Sequence, residues 1–138
     1  MDDRTLNILL VEDDQVDVMN VQRALRKNHI LNPLFLAQDG VDALQKLRDG
    51  EVPLSRLVVL LDLNMPRMGG MEFLREVRGD ADLRRLAVVV LTTSDDERDR
   101  IEAYDLNVAG YIVKPVTFVG FAEAMNTLNM YWTLVELP

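Results

Sequence analysis

LVVLL, the sequence of residues 57–61, is an apolar run that ends directly at Asp62. A short run of Leu and Val between polar and turn residues is typical of a strand that is buried on both faces of a parallel sheet. Open α/β folds bind their ligands at the carboxyl ends of such strands. We therefore expect Asp62 to lie at the functional edge of a parallel sheet.

Three further apolar runs, at 8–11, 88–91 and 111–113, end in polar residues in the same way. The polar residues that follow these runs are Glu12, Asp13, Asp14, Thr92 and Lys114. Because parallel strands end at one edge of the sheet, acids, a hydroxyl and an ammonium should converge there with Asp62. The alternative is that the acids are merely solvated or cap the next helix, as Asp14 and even Asp13 could.

Strand and helix patterns alternate along the whole chain of 138 residues. We expect a helix after each of five strands, which we place at about 7–11, 34–37, 57–61, 87–91 and 110–113. This alternation is typical of an α/β domain with a parallel sheet. About five strands in so short a chain favour a flavodoxin-like, doubly wound sheet in the order 2-1-3-4-5, with helices on both faces.

The second helix has sequence signals at both ends. Asp39 is a candidate N-cap, and Gly50 is a candidate stop. Between these residues Val41, Leu44 and Leu47 recur at helical spacing. We therefore expect all three side chains to face the core.

The last two helices have signals of a different kind. Residues 94–97 read SDDE, which matches a capping box in which Ser94 and Glu97 satisfy each other's amide groups at the start of helix four. Thr117 is the expected cap of helix five, whose apolar residues recur at helical spacing as far as Trp132.

Composition restricts the class of protein. Apolar residues make up 49% of the chain, but the longest apolar run is far shorter than the roughly 20 residues of a membrane span. A net charge of −8 opposes contact with nucleic-acid phosphates. Zinc is not expected, because Cys is absent and the one histidine, His29, lies at the far end of helix one. These features fit a cytoplasmic protein that binds neither membranes nor nucleic acids.

The predicted site suits a metal ion and a phosphoryl group. Glu12, Asp13 and Asp62 cannot all stay ionised at close range without a compensating charge. Few oxygen ligands with several retained waters suit Mg²⁺ better than Ca²⁺. Lys114 is a good point charge for one phosphoryl oxygen, and the Thr92 hydroxyl can donate to another. The groups together would position and neutralise a phosphoryl group on Asp62.

Four sequence motifs follow one another at the predicted strand ends. They are VEDD at 11–14, LDLNMPRMGG at 61–70, LTTS at 91–94 and GYIVKP at 110–115. With these motifs the chain resembles, over nearly its whole length, the receiver domain of response regulators, the phosphoacceptors of two-component signalling. Each motif alone is weak, but the four in order are very specific.

The resemblance implies roles for the acidic residues. Asp62 would be the phosphoacceptor, which assists its own phosphorylation and dephosphorylation, and Glu12 and Asp13 would bind Mg²⁺ with it. Asn64 would supply its backbone carbonyl to the metal. Many members of the family have Asp at the position of Glu12, so the longer side chain could reach the metal through water.

The resemblance also implies how the phosphoryl group is bound and sensed. Thr92 and Lys114 would contact the phosphoryl oxygens, and Thr92 and Tyr111 would form a switch. Thr93 stands where a smaller Ala is common, so it should narrow the access to Asp62.

The C-terminal tail, NMYWTLVELP at 129–138, extends the last predicted helix. This ending is similar to that of stand-alone regulators paired with bacterial phytochrome histidine kinases. It implies one receiver domain over residues 1–138, with no output domain, that signals by phosphorylation-dependent protein contacts. The apolar tail residues predict a homodimer through helix four, strand five, helix five and the tail. Alternatively, the tail folds back and the protein is a monomer.

Other functions remain open at this point. A phosphate sink or relay would use the same site without an output of its own. A phosphohydrolase related to the haloacid dehalogenases would need a second Asp at the position of Asn64. Flavin binding would need a hydroxyl-rich phosphate loop after strand one, where Glu12, Asp13 and Asp14 would repel a phosphate.

Overall fold

Nine helices and strands lie within the residues that the computed structural model describes, which are 6–27 and 29–114 with Glu123 and Thr127. The strands are β1 (Asn7–Val11), β2 (Leu34–Ala37), β3 (Leu57–Leu61), β4 (Ala87–Thr92) and β5 (Gly110–Val113). The helices are α1 (Gln15–Lys27), α2 (Gly40–Arg48), α3 (Gly70–Gly79) and α4 (Glu97–Asp105). The predicted fifth helix with its cap at Thr117, and the tail at 129–138, fall outside the described residues. Over the ranges given above, no helix has both the length and the apolar character to cross a membrane.

The five strands form one parallel sheet in the order β2-β1-β3-β4-β5, which confirms the predicted order. Leu9 of β1 lies opposite Phe35 of β2 and Val59 of β3. All five residues of β3 are buried, as the apolar run predicts. The strand bounds match the prediction, except that β4 continues by one residue to include Thr92.

Alternate residues along the strands face two separate cores. One core lies between the sheet and α2, α3 and α4, and it contains Val59 and Phe73. The other lies between the sheet and α1, and it contains Leu60 and Val21. Each square ångström of apolar surface buried in these cores contributes about 25 cal/mol. Helices therefore cover both faces of the sheet, which confirms the doubly wound fold.

The second helix begins and ends where the sequence predicts, but one side chain points the other way. The Asp39 side chain accepts a hydrogen bond from the α2 backbone, and Gly50 has a φ of 86° just beyond the helix. The two leucines of α2 are buried, whereas Val41 is 39% exposed, so its predicted place in the core was wrong. The buried stripe starts at Gly40 and includes Ala43, which leaves Val41 about 100° away from it on the helix.

The fourth helix begins later than its sequence signal. The predicted capping box between Ser94 and Glu97 was wrong, because Asp96 is the N-cap and accepts a hydrogen bond from the α4 backbone. The Ser94 hydroxyl instead donates to Asp99 at 2.6 Å. The carbonyl oxygen of Ser94 accepts a hydrogen bond from the Tyr111 hydroxyl at 3.0 Å, which ties this segment to β5.

Candidate functional site

Polar residues from four strand ends meet at the carboxyl edge of the sheet. They are Glu12 and Asp13 after β1, Asp62 after β3, Thr92 at the end of β4 and Lys114 after β5. The sheet's hydrogen bonds continue past the strands, since the amide of Asp62 donates to the carbonyl oxygen of Val11 at 3.1 Å. The same ladder joins the amide of Lys114 to the carbonyl oxygen of Thr92. The structure thus brings together the residues that the strand-end pattern selects.

Three of these residues form an acidic group. One carboxylate oxygen from each of Glu12, Asp13 and Asp62 lies within 4.8 Å of the others. Glu12 and Asp62 are buried, whereas Asp13 is exposed at the mouth of the site. Three carboxylates with no nitrogen or sulfur donor among them are a ligand set for a hard cation such as Mg²⁺ or Mn²⁺.

The third acid of the VEDD motif, Asp14, has a different place. The Asp14 carboxylate accepts hydrogen bonds from the amide of Val16 at 2.8 Å and from the amide of Asp17 at 3.3 Å. These bonds satisfy amide groups in the first turn of α1, where a helix has no internal partners for them. Asp14 is therefore the cap of α1, and Asp13 remains with the acidic group.

The site opposes the accumulation of negative charge. Burial raises the pKa of Glu12 to about 8, and the neighbouring Asp62 carboxyl acts in the same direction, while a hydrogen bond from Lys114 acts against them. A proton or a cation that reduces the local negative charge therefore stabilises such a group. The electrostatics of the acidic group therefore fit the binding of a divalent cation.

Lys114 contacts two carboxyl groups. Its Nζ lies 2.7 Å from Glu12 Oε1 and 2.8 Å from Asp17 Oδ2. Burial lowers the pKa of the Lys114 ammonium, but the hydrogen bonds to Asp17 and Glu12 outweigh burial and leave the pKa raised. Sequence reasoning missed Asp17, because an acid in the first turn of a helix is common there as a partner of the helix dipole.

Asn64 connects the loop after β3 with the end of β4. Its side-chain amide nitrogen lies 3.4 Å from Thr92 Oγ1 and 3.3 Å from Thr93 Oγ1, and its backbone amide lies 3.4 Å from Asp62 Oδ1. Thr92 is completely buried, whereas Thr93 is exposed. Asn64 therefore contacts both the Asp62 carboxylate and the Thr92 hydroxyl.

The loop that presents Asn64 is fastened to α2. Arg67 donates two hydrogen bonds to Asp39, at 2.7 and 3.0 Å, and these bonds hold the pKa of Asp39 below its ordinary value. The amide of Gly40 also donates to the carbonyl oxygen of Met68 at 3.1 Å. Sequence reasoning identified Asp39 only as a cap, because nothing local links it to a residue 28 positions away.

Tyr111 lies beside the site, at the start of the segment that leads to Lys114. Its hydroxyl donates to the carbonyl oxygen of Ser94, and its ring centroid lies 5.5 Å from the guanidinium carbon of Arg100. Burial raises the pKa of the Tyr111 hydroxyl, so it is a neutral hydrogen-bond donor. Tyr111 therefore links β5 with the loop between Thr92 and α4.

Comparison with known proteins agrees with this geometry. The model of the response regulator receiver domain matches residues 8–126, and the chain belongs to that family. It is a signalling protein of the two-component type, a response regulator that receives a phosphoryl group.

Particular relatives narrow the comparison. The response regulator Rcp1 of Synechocystis sp. is 38% identical over 135 residues, which cover 95% of this chain and 92% of Rcp1. The solved Mn²⁺-bound form of Rcp1 superposes with a TM-score of 0.82 at 37% identity, over 96% of this chain and 99% of that one. The phosphorylated cyanobacterial phytochrome response regulator RcpA gives a TM-score of 0.84 at 36% identity, over 96% of this chain and 98% of that one.

Proposed function

We propose that Asp62 accepts the phosphoryl group from a phosphohistidine of a histidine kinase. The observation that carries this proposal is the position of a buried carboxylate beside two further acids, a buried hydroxyl and a lysine ammonium. In the transfer the phosphorus–nitrogen bond breaks, and a phosphorus–oxygen bond to the Asp62 carboxylate forms. The electron pair of the broken bond stays with the imidazole, which takes up a proton.

Mg²⁺ is the proposed metal, and Glu12, Asp13 and Asp62 would hold it with the backbone carbonyl of Asn64. The ligand set fits, because its atoms are carboxylate and carbonyl oxygens and because the burial of Glu12 favours a reduction of negative charge. A Mn²⁺-bound form of Rcp1 supports a divalent ion at the acidic group. When bound, the metal would neutralise phosphoryl oxygens.

Thr92 and Lys114 are the proposed ligands of the phosphoryl oxygens. The Thr92 hydroxyl can turn its hydrogen toward an oxygen on Asp62, because the bonds from Asn64 at 3.4 Å and from the amide of Ser94 at 3.2 Å use only its oxygen, as an acceptor. The Lys114 ammonium has three donor hydrogens and can direct one of them to a phosphoryl oxygen. A hydroxyl and an ammonium in this arrangement bind the charge that phosphoryl transfer develops.

Hydrolysis of the aspartyl phosphate at Asp62 would end the signal. The residues that bind the metal and the phosphoryl oxygens would assist this hydrolysis as well. Asn64 stands where a phosphohydrolase related to the haloacid dehalogenases would need an acid, and an amide cannot transfer protons in that role. We therefore favour slow self-dephosphorylation over turnover of external phosphoesters. A phosphate sink or relay would use the same chemistry and differs only in its partners.

Thr92 and Tyr111 form the proposed switch. Movement of Thr92 toward a phosphoryl group would vacate space at the end of β4, which the Tyr111 ring could enter after its hydroxyl releases the Ser94 carbonyl. Such a change shifts an existing equilibrium rather than creating a new state. Crystals grown with and without beryllium fluoride compare the two positions, and one Tyr111 rotamer in both would exclude the switch.

A homodimer is proposed through α4, β5, the last helix and the tail. The described part of this surface has two exposed apolar side chains on α4, since Ile101 is 53% exposed and Tyr104 is 49% exposed, whereas Ala103 is buried. A twofold contact here would lie beside Tyr111. Sedimentation of the full chain and of a chain that ends before Tyr131, each with beryllium fluoride, tests the proposal. A monomer in all samples would refute it.

The proposed partner is a histidine kinase of the bacterial phytochrome type, and we propose that both act in the cytoplasm, where ATP supplies the phosphoryl group. The similarity to RcpA, a phytochrome response regulator, supports this choice. We further propose that residues 1–138 form a single receiver domain in which 129–138 extend the last helix. Nucleic acids and membranes are not expected partners of this acidic chain.

Beryllium fluoride, a mimic of the phosphoryl group, tests the proposed site. Titration followed by amide NMR should show binding only when Mg²⁺ is present and only when Asp62 is intact. Asp13→Ala should weaken this binding by removing a metal ligand, with Asp14→Ala as the neighbouring control that removes only the cap of α1. Equal affinities of the wild type and Asp13→Ala would contradict the metal site.

A further inference from the structure

Asp17 shares the Lys114 ammonium with the site already described. Asp17 is the third residue of α1, and its Oδ2 lies 2.8 Å from Lys114 Nζ, while Glu12 Oε1 lies 2.7 Å from the same nitrogen. The Lys114 side chain is only 11% exposed, so these two carboxyl groups form much of its polar surroundings. The roles proposed above for phosphoryl and metal binding make no use of Asp17.

We propose that Asp17 is a positioning residue that competes with the phosphoryl group for Lys114 and thereby limits how tightly that group is held. The inference rests on the proposed function of Asp62. Glu12 belongs to the acidic group and would turn from Lys114 toward a bound metal ion, whereas Asp17 is outside that group and would keep its hydrogen bond to Lys114. Although the ammonium has a hydrogen for each partner, its movement toward a phosphoryl oxygen would lengthen and weaken its bond to Asp17.

Electrostatic repulsion acts in the same direction as this competition. A phosphoryl group on Asp62 adds negative charge near an ammonium that Asp17 contacts directly. Both the weakened contact and the repulsion favour the unphosphorylated state. Because the Asp17 side chain is 32% exposed, water and salt screen part of the effect, and we expect a change of about three- to tenfold rather than several orders of magnitude.

The matched test compares two acids at the same position of their helices. Asp17→Asn removes the negative charge that contacts Lys114. Glu72→Gln removes the negative charge of an exposed acid that is likewise the third residue of its helix, α3. With saturating Mg²⁺, Asp17→Asn should bind beryllium fluoride about three- to tenfold more tightly than the wild type. Glu72→Gln should bind like the wild type, and Asp17→Glu should restore weaker binding.

A double-mutant cycle shows whether the effect passes through Lys114. In a Lys114→Met background, titrated to higher beryllium fluoride concentrations, Asp17→Asn should change the affinity by less than about twofold. An unchanged or weaker affinity of Asp17→Asn, or an equal gain in the Lys114→Met background, would overturn the inference. Failure of the wild type to bind beryllium fluoride would instead reject the proposed function of Asp62, so the two failures are distinguishable.

Discussion

Lys114 Nζ lies 2.7 Å from Glu12 Oε1, and this hydrogen bond joins the ends of β1 and β5, which are 102 positions apart in the sequence. Only the order of the strands brings these residues together, since β3 and β4 lie between their strands in the sheet. The Lys114 side chain therefore extends from the end of β5, past the ends of β4 and β3, to Glu12 at the end of β1. A phosphoryl group on Asp62 would arrive between a cation site and this ammonium.

The Thr92 hydroxyl should be required for tight binding of a phosphoryl group. Thr92→Ala removes the donor and should weaken the affinity for beryllium fluoride with Mg²⁺ by about tenfold or more, as expected for a lost hydrogen bond to a charged group. Thr92→Ser keeps the hydroxyl and should stay close to the wild type in affinity. Isothermal titration of the three proteins measures this. Equal binding by Thr92→Ala and Thr92→Ser would show that the hydroxyl has no such role.

Mg²⁺ affinity should depend on pH through Glu12. Because burial raises the pKa of Glu12 to about 8, metal binding below that pH displaces a proton. The apparent affinity should therefore rise with pH, by up to about tenfold per unit, and level off near pH 8. Titrations at several pH values check this, and Glu12→Gln should bind more weakly and lose the slope. A flat profile in the wild type would contradict the assignment.

The raised pKa of Glu12 also makes the stability of the metal-free protein depend on pH. The folded-state pKa of Glu12 is raised from 4.5 to about 8, so the folded state holds this proton more tightly than the unfolded chain. Its contribution to stability is fully present below about pH 4.5 and is lost as the pH rises through about 8. The urea midpoint of the wild type should therefore fall relative to that of Glu12→Gln over this range.

Much of the site could be predicted from the sequence because topology fixes it. A parallel sheet places Glu12, Asp62 and Lys114 at one edge whatever the details of the loops. The predictions failed where contacts between residues distant in sequence determine the local structure. The SDDE pattern satisfies the rules for a capping box, but the hydrogen bonds of Ser94 to Asp99 and Tyr111 keep that segment out of the helix. The pairings of Asp17 and Asp39 were missed because their partners are distant in sequence.

The pair between Arg67 and Asp39 should stabilise the fold and resist acid. Arg67 lowers the pKa of Asp39, so this contribution is present above the ordinary pKa of Asp and is lost as the pH falls through the lowered value. Arg67→Ala should lower the urea midpoint at neutral pH, and the difference from the wild type should shrink in acid. A difference that is unchanged at low pH would contradict the pairing.

A matched control for this pair exists at another helix cap. Arg98 pairs with Asp96, the N-cap of α4, just as Arg67 pairs with Asp39, the N-cap of α2. The carboxyl group is 42% exposed in the first pair and 4% exposed in the second. Because exposed ion pairs contribute little, Arg98→Ala should change the urea midpoint less than Arg67→Ala does.

Gly70 should tolerate no side chain. A Cβ there would lie 2.3 Å from the carbonyl oxygen of Asp62, which is closer than van der Waals contact allows. Gly70→Ala should therefore lower the free energy of unfolding by about 1–3 kcal/mol and displace the Asp62 loop. In the same helix, Gly79 has open space, so Gly79→Ala should be neutral or stabilising by up to about 1 kcal/mol. Chemical denaturation compares them, and equal effects would contradict the packing.

The most direct test of the account is the position of the phosphoryl group after transfer from an autophosphorylated phytochrome-type histidine kinase. Borohydride reduction converts an aspartyl phosphate to homoserine, and peptide mass mapping then locates the modified residue. We predict homoserine at position 62 in the wild type when Mg²⁺ is present. We predict no homoserine when Mg²⁺ is removed by a chelator or when the protein is Asp62→Asn. Homoserine at the position of another acid in the wild type would contradict the account. Homoserine in Asp62→Asn in the same amount as in the wild type would contradict it too.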